Sequence, residues 1–373
     1  MADCTPMIPA DMSASELELN EFVKHSELGA RHLKSGPASQ LPTLRRILHR
    51  SLHDKAHIYL VDLEVEMSPP NLYLPLIDLS STDRASTAQS IRKACMDHGF
   101  FYVINHGIDD FIVKSLFRES MKFFDLPLSE KMKLERSKDH RGYTAPYSET
   151  LDTSSKFKGD LKESFYVGPI NDSLNQWPSK ESLPAWKVTM ESYYEKILNV
   201  GFRLISLISI ALNLDENFFT KIGALDSPMG FLRLLHYPGE IPESDKGKYG
   251  ASAHSDYGMI TLLVTDGMPG LQICREKDRS PQLWEGVDHV ERALIVNIGD
   301  IMERWTNCTF RSTLHRVVAV GQERYSAAFF LDPNYDCVVE CLETCCSETS
   351  PPRFPPIKSG DYLEERLRLT YSQ

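Results

Sequence analysis

The chain has 373 residues, 42% of them hydrophobic and 25% charged, with a formal net charge of −11. That length permits one large domain with additions, or two domains, and the negative balance weighs against broad electrostatic binding to nucleic acid or anionic membrane. No apolar run reaches the ~18 residues of a bilayer span, and Asp3, Asp11, Glu16, Glu18 and Glu21 stand where a basic, apolar leader would, so a cytoplasmic location is expected. Eight cysteines in such a chain read as free thiols. The run Cys337, Cys341, Cys345, Cys346 does not have a standard zinc spacing.

Residues 1–70 read as an extension, partly disordered or loosely docked, with "SPP" at 68–70 as the boundary. A helical and mixed region is expected over 71–228. Within it "LPLIDLS" is a short strand. A helix follows, capped by Ser81 or Thr82, with Ala88, Ile91 and Cys95 on one face and Gly99 as its stop. "FFYVINHG" is a strand ending in a turn, and "FIVKSLFRESMKFFDLP" is an amphipathic helix halted by Pro127. Residues 137–184 lack periodicity and read as strands and long loops that shape a pocket. From 185 to 214 a stripe of Trp186, Met190, Tyr193, Ile197, Gly201, Leu204, Ile208 and Leu212 marks a core-packing helix. Residues 229–335 change cadence to short strands separated by Gly, Pro, Asp and Asn, the pattern of an antiparallel β-sandwich or small barrel. A strand and charged-helix tail, 336–373, closes the chain.

The chemistry concentrates in the β-rich stretch. "GASAHSDYGMITLLV" places His254 and Asp256 two positions apart, so on a strand both side chains point the same way. His315 lies 59 residues beyond Asp256, inside "STLHRVVAV". Two imidazoles and one carboxylate on one face of an octahedron make the facial triad of non-haem Fe(II) sites, with the remaining positions open for a chelating co-substrate and dioxygen. Nine residues after His315 stands Arg324, with Ser326 at i+2 on the same strand face. A guanidinium and a hydroxyl together cradle a carboxylate, here the far end of a keto-diacid. Alone, each pattern is weak; their order, each inside a β-run, is what carries the reading. His98, His106, His236 and His289 lack a partner at ligand spacing and are taken as packed residues.

With these motifs in hand, the chain resembles the plant-type 2-oxoglutarate/Fe(II)-dependent dioxygenases, a family that includes flavonol synthase-like enzymes, gibberellin oxidases and isopenicillin N synthase. The likeness runs through most of residues 72–362, in "CMDHGFFYVINHGI", "DLKESFYVG", "LRLLHYP", "HSDYGMITLL", "ALIVNIGDIMERWTN", "STLHRVV" and "RYSAAFF". It implies a mainly β fold with α, a double-stranded β-helix (jelly roll) core with N-terminal helices packed around it. It implies Fe(II) on His254, Asp256 and His315, and 2-oxoglutarate held by Arg324 and Ser326 with Tyr237 touching it. O2 is the oxidant and ascorbate a candidate reductant. Phe330 corresponds to an aromatic that faces substrate in relatives, and Trp305 and Asn307 look structural. The sequence departs from the family at Leu235, where Asn is frequent, and at Ser255, where Thr is.

The expected activity is oxidation of a small organic metabolite, by hydroxylation or desaturation, with release of succinate and CO2. Tyr143, Tyr147, Phe157 and Phe165, in the aromatic stretch 141–168, are further candidates for the substrate walls. The expected partner is a small-molecule substrate, with no nucleic acid and no membrane; nothing in the sequence sets an oligomeric state. Two alternatives remain open: an iron oxidase that does not consume 2-oxoglutarate, and a non-catalytic ligand-binding relative. A zinc hydrolase would need an H-E-x-x-H helix, which the chain lacks.

Overall fold

Why the first helix starts where it does is visible in one hydrogen bond. In the computed structural model, which describes residues 72–152, 159–245 and 247–371, the Asp83 side chain accepts from the Ser86 N–H and caps α1 (Arg84–Asp97). The cap is therefore Asp83, not Ser81 or Thr82; its carboxylate reaches the third N–H of the helix and carries the charge the helix dipole favours. Gly99, at φ +67°, ends the turn in a conformation that suits glycine. The expectation for residues 1–70 falls outside the described residues.

The chain continues through β1 (Leu76–Asp78), β2 (Phe100–Ile104), α2 (Asp110–Phe124), α3 (Leu128–Lys131), β3 (Gly142–Thr144), β4 (Glu163–Val167) and α4 (Trp186–Ala211). After α5 (Phe218–Lys221) come β5 (Met229–Tyr237), β6 (Tyr249–His254), β7 (Ile260–Thr265), β8 (Leu271–Cys274), β9 (Glu285–Gly286) and β10 (Leu294–Ile298). Then follow α6 (Asp300–Trp305), β11 (Leu314–Val318), β12 (Arg324–Asp332), the short pair β13 (Val338–Val339) and β14 (Ile357–Lys358), and α7 (Ser359–Tyr371). An eight-stranded sheet runs β1-β2-β10-β7-β12-β5-β4-β3, and a four-stranded sheet runs β6-β11-β8-β9. The pairings between these strands are antiparallel except β1 with β2. This is the jelly roll with helices that the family resemblance implies.

Strand parity sorts the core into two layers. Leu232 and Leu234, Leu262 and Val264, and Ala327, Phe329 and Leu331 pack with α4 in one cluster. Residues of the opposite parity on the same sheet, including Leu235, Tyr237, Ile295 and Ala328, form a second cluster with Ala251, Leu271, Ile273 and Val317 of the smaller sheet. The larger sheet thus turns one face to the helices and the other to the smaller sheet. Every member of the expected α4 stripe is buried, as is Leu212 just past its end. Large side chains such as Trp186 contribute about 1.5–3 kcal/mol each by leaving water.

Candidate active site

The triad sits between the two sheets. His315 on β11 pairs directly with His254 at the end of β6. From that pair, two residues along β11 bring Val317 opposite Ala251, three residues back along β6, so a bulge lies just ahead of His254. Such a bulge turns a strand and re-aims its side chains. Asp256 lies past the strand end, not on it, and its backbone C=O accepts from the Asp300 N–H at 2.8 Å. Asp256 therefore does not share a strand face with His254 as the spacing predicts; the irregular segment after β6 carries it round. Its Oδ1 lies 3.8 Å from His254 Nε2 and 3.6 Å from His315 Nε2. Among the described residues this is the one His/Cys/Asp/Glu group close enough to hold an ion, with its candidate ligand atoms within 4.8 Å of one another.

The surrounding hydrogen bonds leave the right atoms available. His254 Nδ1 lies 2.7 Å from the Ser252 carbonyl, and His315 Nδ1 3.1 Å from that of Thr313. Each Nδ1–H donates to its carbonyl, which leaves both Nε2 lone pairs facing inward. Asp256 Oδ2 accepts from Thr261 Oγ1 at 2.5 Å and from Asn297 Nδ2 at 2.8 Å, so Oδ1 faces the histidines. Burial, then the neighbouring His315, pushes the His254 imidazole down to about 4. Burial also pushes the Asp256 carboxyl up, but His315, His254 and Thr261 outweigh it and hold it below the usual carboxylate range. Burial depresses His315, yet the Asp256 carboxylate wins and raises it. One anionic oxygen and two imidazole nitrogens, all backed by partners, fit a divalent first-row metal ion.

Across the sandwich, Arg324 and Ser326 stand on β12 of the larger sheet, opposite the triad and not on a strand neighbouring it. Arg324 Nη1 donates to Ser326 Oγ at 3.1 Å, Nε donates to the Met268 carbonyl at 3.3 Å, and the guanidinium lies 4.9 Å from the Tyr237 ring centre. Arg324, Ser326 and Tyr237 are all buried. A cavity is lined by the triad, Arg324, Ser326 and Tyr237 together, with Lys162 and Arg233. A second cavity shares His254, Asp256, Arg233, Leu151 and Phe330 with the first. The two spaces meet at the triad.

The expected substrate walls divide. Phe330 lines both cavities. Tyr143 and Phe165 line neither: they pair across β3 and β4 and pack beside Phe123, and Phe165 also against Trp186, in the helix-side core. Tyr143 also donates to Glu163. Tyr147 is 46% exposed and donates to Asp245 Oδ2 at 2.8 Å, away from both cavities. Phe157 falls outside the described residues. The physical reason for the first two is parity, since the next residue, Tyr166, faces the cavity instead. Sequence reasoning also missed Phe231, Arg233 and Asp332. The signal was present: Arg324, Ser326, Phe330 and Asp332 share one parity on β12, as do Phe231, Arg233 and Tyr237 on β5. His236 is a packed residue as expected, stacked on Tyr325 and bonded to Glu163 and Glu323.

A buried ionic cluster backs the site. Lys162 Nζ lies 2.8 Å from Glu149 Oε2 and 2.6 Å from Asp160 Oδ2, and Arg233 Nη2 lies 2.6 Å from the same Glu149 oxygen. Asp160 Oδ1 accepts from the Ser252 N–H and hydroxyl, and the Ser252 carbonyl receives His254. The cluster thus reaches from the cavities to a triad histidine.

A three-sided centre of this kind, set inside a jelly roll, defines a class: the non-haem iron oxidoreductases. Comparison with known proteins narrows it. Residues 74–180 match the family described as non-haem dioxygenase in morphine synthesis, N-terminal, and residues 228–333 match the 2OG-Fe(II) oxygenase superfamily. The chain is 41% identical to azadirone synthase of Melia azedarach over 308 residues, spanning 79% of this chain and 92% of that one. It is 42% identical to kihadalactone A synthase of Citrus sinensis over 313 residues, spanning 80% and 92%. A solved full-length protein of Neurospora crassa, in complex with alpha-KG, has a TM-score of 0.72 at 30% identity, covering 81% of this chain and 97% of that one. The solved structure of JOX2 in complex with 2OG, Fe and JA has a TM-score of 0.69 at 29% identity, covering 79% and 85%. The chain belongs to the 2-oxoglutarate/Fe(II)-dependent oxygenases. It is an oxidoreductase that uses Fe(II) as cofactor and 2-oxoglutarate as co-substrate, and it acts on a small molecule.

Proposed function

We propose that His254, Asp256 and His315 hold Fe(II), and that Arg324, Ser326 and Tyr237 hold the far carboxylate of 2-oxoglutarate. The observation that carries this reading is the single cavity lined by both groups. Bound there, the iron supplies O2 activation coupled to conversion of 2-oxoglutarate into succinate and CO2. The protein's own part is to orient and to exclude water. Arg324 forks onto a carboxylate, and Ser326 adds a hydroxyl beside it. Asn297 and Thr261 keep Asp256 from turning. The organic substrate occupies the second cavity, with Phe330 at the junction and Phe231, Leu363 and Leu367 among its walls. We read the outcome as hydroxylation or desaturation of a largely apolar metabolite. Relatives named for azadirone and kihadalactone A synthesis, and solved neighbours titled with thymine or JA bound, support a small organic substrate. The net charge of −11 supports an enzyme that binds neither nucleic acid nor anionic membrane; we also read it as cytoplasmic. No helix among the described residues is long and apolar enough to cross a membrane.

The test is an anaerobic spectral titration with Fe(II) and 2-oxoglutarate, followed by succinate measurement on admitting O2 with ascorbate present. A charge-transfer band that needs both ligands, and succinate in step with 2-oxoglutarate consumed, is expected. Substrate oxidation without succinate would instead mark an iron oxidase that leaves 2-oxoglutarate untouched.

A further inference from the structure

Asp332 is the last residue of β12 and shares its face with Arg324, Ser326 and Phe330. It lines the second cavity together with His254 and Asp256 but belongs to no ligand set among the described residues. The residue is only 5% exposed, and its Oδ1 has no hydrogen-bond partner among the described residues. A buried carboxyl oxygen without a donor is expensive, and such groups are rare in folded proteins. The fold makes room for it: a Cβ on Gly258 would collide with Asp332 Oδ1. Phe231, Phe330, Leu363 and Leu367 line the same cavity, so the carboxyl shares it with a broad apolar wall. Arg136 and Arg233 line it as well, but so do the carboxylates Glu149 and Asp256, and Arg233 is paired with Glu149, so these charges offset one another. A neutral hydroxyl is the donor that suits these surroundings.

We propose that Asp332 is a specificity-determining residue that accepts a hydrogen bond from a hydroxyl group on an otherwise apolar substrate, so that the preferred substrates are apolar alcohols held by that hydroxyl beside the triad. This rests on the reading of the second cavity as the substrate site. It accounts for a costly orphan oxygen that neither the triad nor the Arg324 group uses. A site built to pair with a hydroxyl discriminates strongly against analogues without one, because its own polar group is then left buried and unpaired.

The experiment uses matched probes that differ only in the donor: 4-phenylphenol with 4-methoxybiphenyl, 2-naphthol with 2-methoxynaphthalene, and a steroid 3-alcohol with its methyl ether. Binding is measured by calorimetry, without oxygen, to the protein loaded with Fe(II) and 2-oxoglutarate. The alcohol is expected to bind on the order of tenfold more tightly than its ether in at least one pair. In Asp332→Leu that ratio should fall to one or reverse, while affinity for 2-oxoglutarate stays unchanged. Equal affinities, no binding of either member of any pair, or a ratio that survives in Asp332→Leu overturns the proposal. The wild-type ratio decides alone should the leucine variant not fold. Succinate release on admitting O2 is read separately: its absence in the wild type would sink the oxygenase reading, whereas the alcohol-to-ether ratio speaks only to Asp332.

Discussion

Replacing Lys162 by Met removes one charge from a cluster in which Lys162 and Arg233 balance Glu149 and Asp160. All four residues are at most 5% exposed. Burial depresses the Lys162 ammonium, but Glu149 and Asp160 outweigh it and the net shift is upward. Burial also pushes Glu149 upward, yet Arg233 and Lys162 hold it below the carboxylate range. Without Lys162, two buried carboxylates face one guanidinium. Breaking such a cluster by removing one partner costs about 3–5 kcal/mol, out of a total stability on the order of 5–15 kcal/mol. For a chain of this size that lowers Tm by roughly 10 °C. Glu149→Gln leaves the opposite imbalance and should also destabilise. Lys162→Met with Glu149→Gln restores neutrality, so the double variant should lose less than the two singles summed, by about 1–3 kcal/mol. Urea unfolding at neutral pH measures all three. A loss below about 1 kcal/mol for Lys162→Met, or strict additivity in the cycle, would refute the claim that charge balance holds this cluster together.

Three further outcomes are expected. Thr261→Val deletes the shorter of two hydrogen bonds to Asp256 Oδ2, and Fe(II) affinity by titration should fall about 10–100-fold, with little change in fold by circular dichroism. Arg324→Lys keeps the charge but loses the fork; KM for 2-oxoglutarate should rise at least several-fold, and an unchanged KM would remove Arg324 from that role. Asp332→Asn bears on pH. Burial, and then the Asp256 carboxylate, push the Asp332 carboxyl up to about 7. Between an unfolded value near 3.9 and that folded value, the folded state binds a proton that the unfolded state does not. Stability of the metal-free protein therefore falls as pH rises from about 4 to about 8, by up to about 4 kcal/mol, and the Asn variant should lack this slope in denaturation curves at a series of pH values.

Much of this was legible in the order of residues. Hydrophobic period alone marked α4, because a stripe every 3.6 residues can bury only one way. The spacing of His254, Asp256, His315, Arg324 and Ser326 named the residues that the fold brings around one cavity. Local chemistry of this kind is written into the chain, since donor type and strand parity do not need distant partners to be read. Parity reaches further: two residues along β12 from Phe330 lead to Asp332 on the same face, and a single residue along β4 separates core Phe165 from cavity-lining Tyr166.

Which face of each strand met water, helix or cavity was settled by folding and not by the chain's local pattern. Tyr143 and Phe165 look like pocket aromatics in sequence, yet β4 pairs beside β5 so that they join Trp186 on the helix side. The meeting of Asp256 with both histidines, and the ionic cluster joining Glu149, Asp160, Lys162 and Arg233, depend on segments separated by up to 84 positions. Nothing local specifies such meetings. They follow from two sheets closing on each other, which sets distances between residues that the chain alone leaves unrelated.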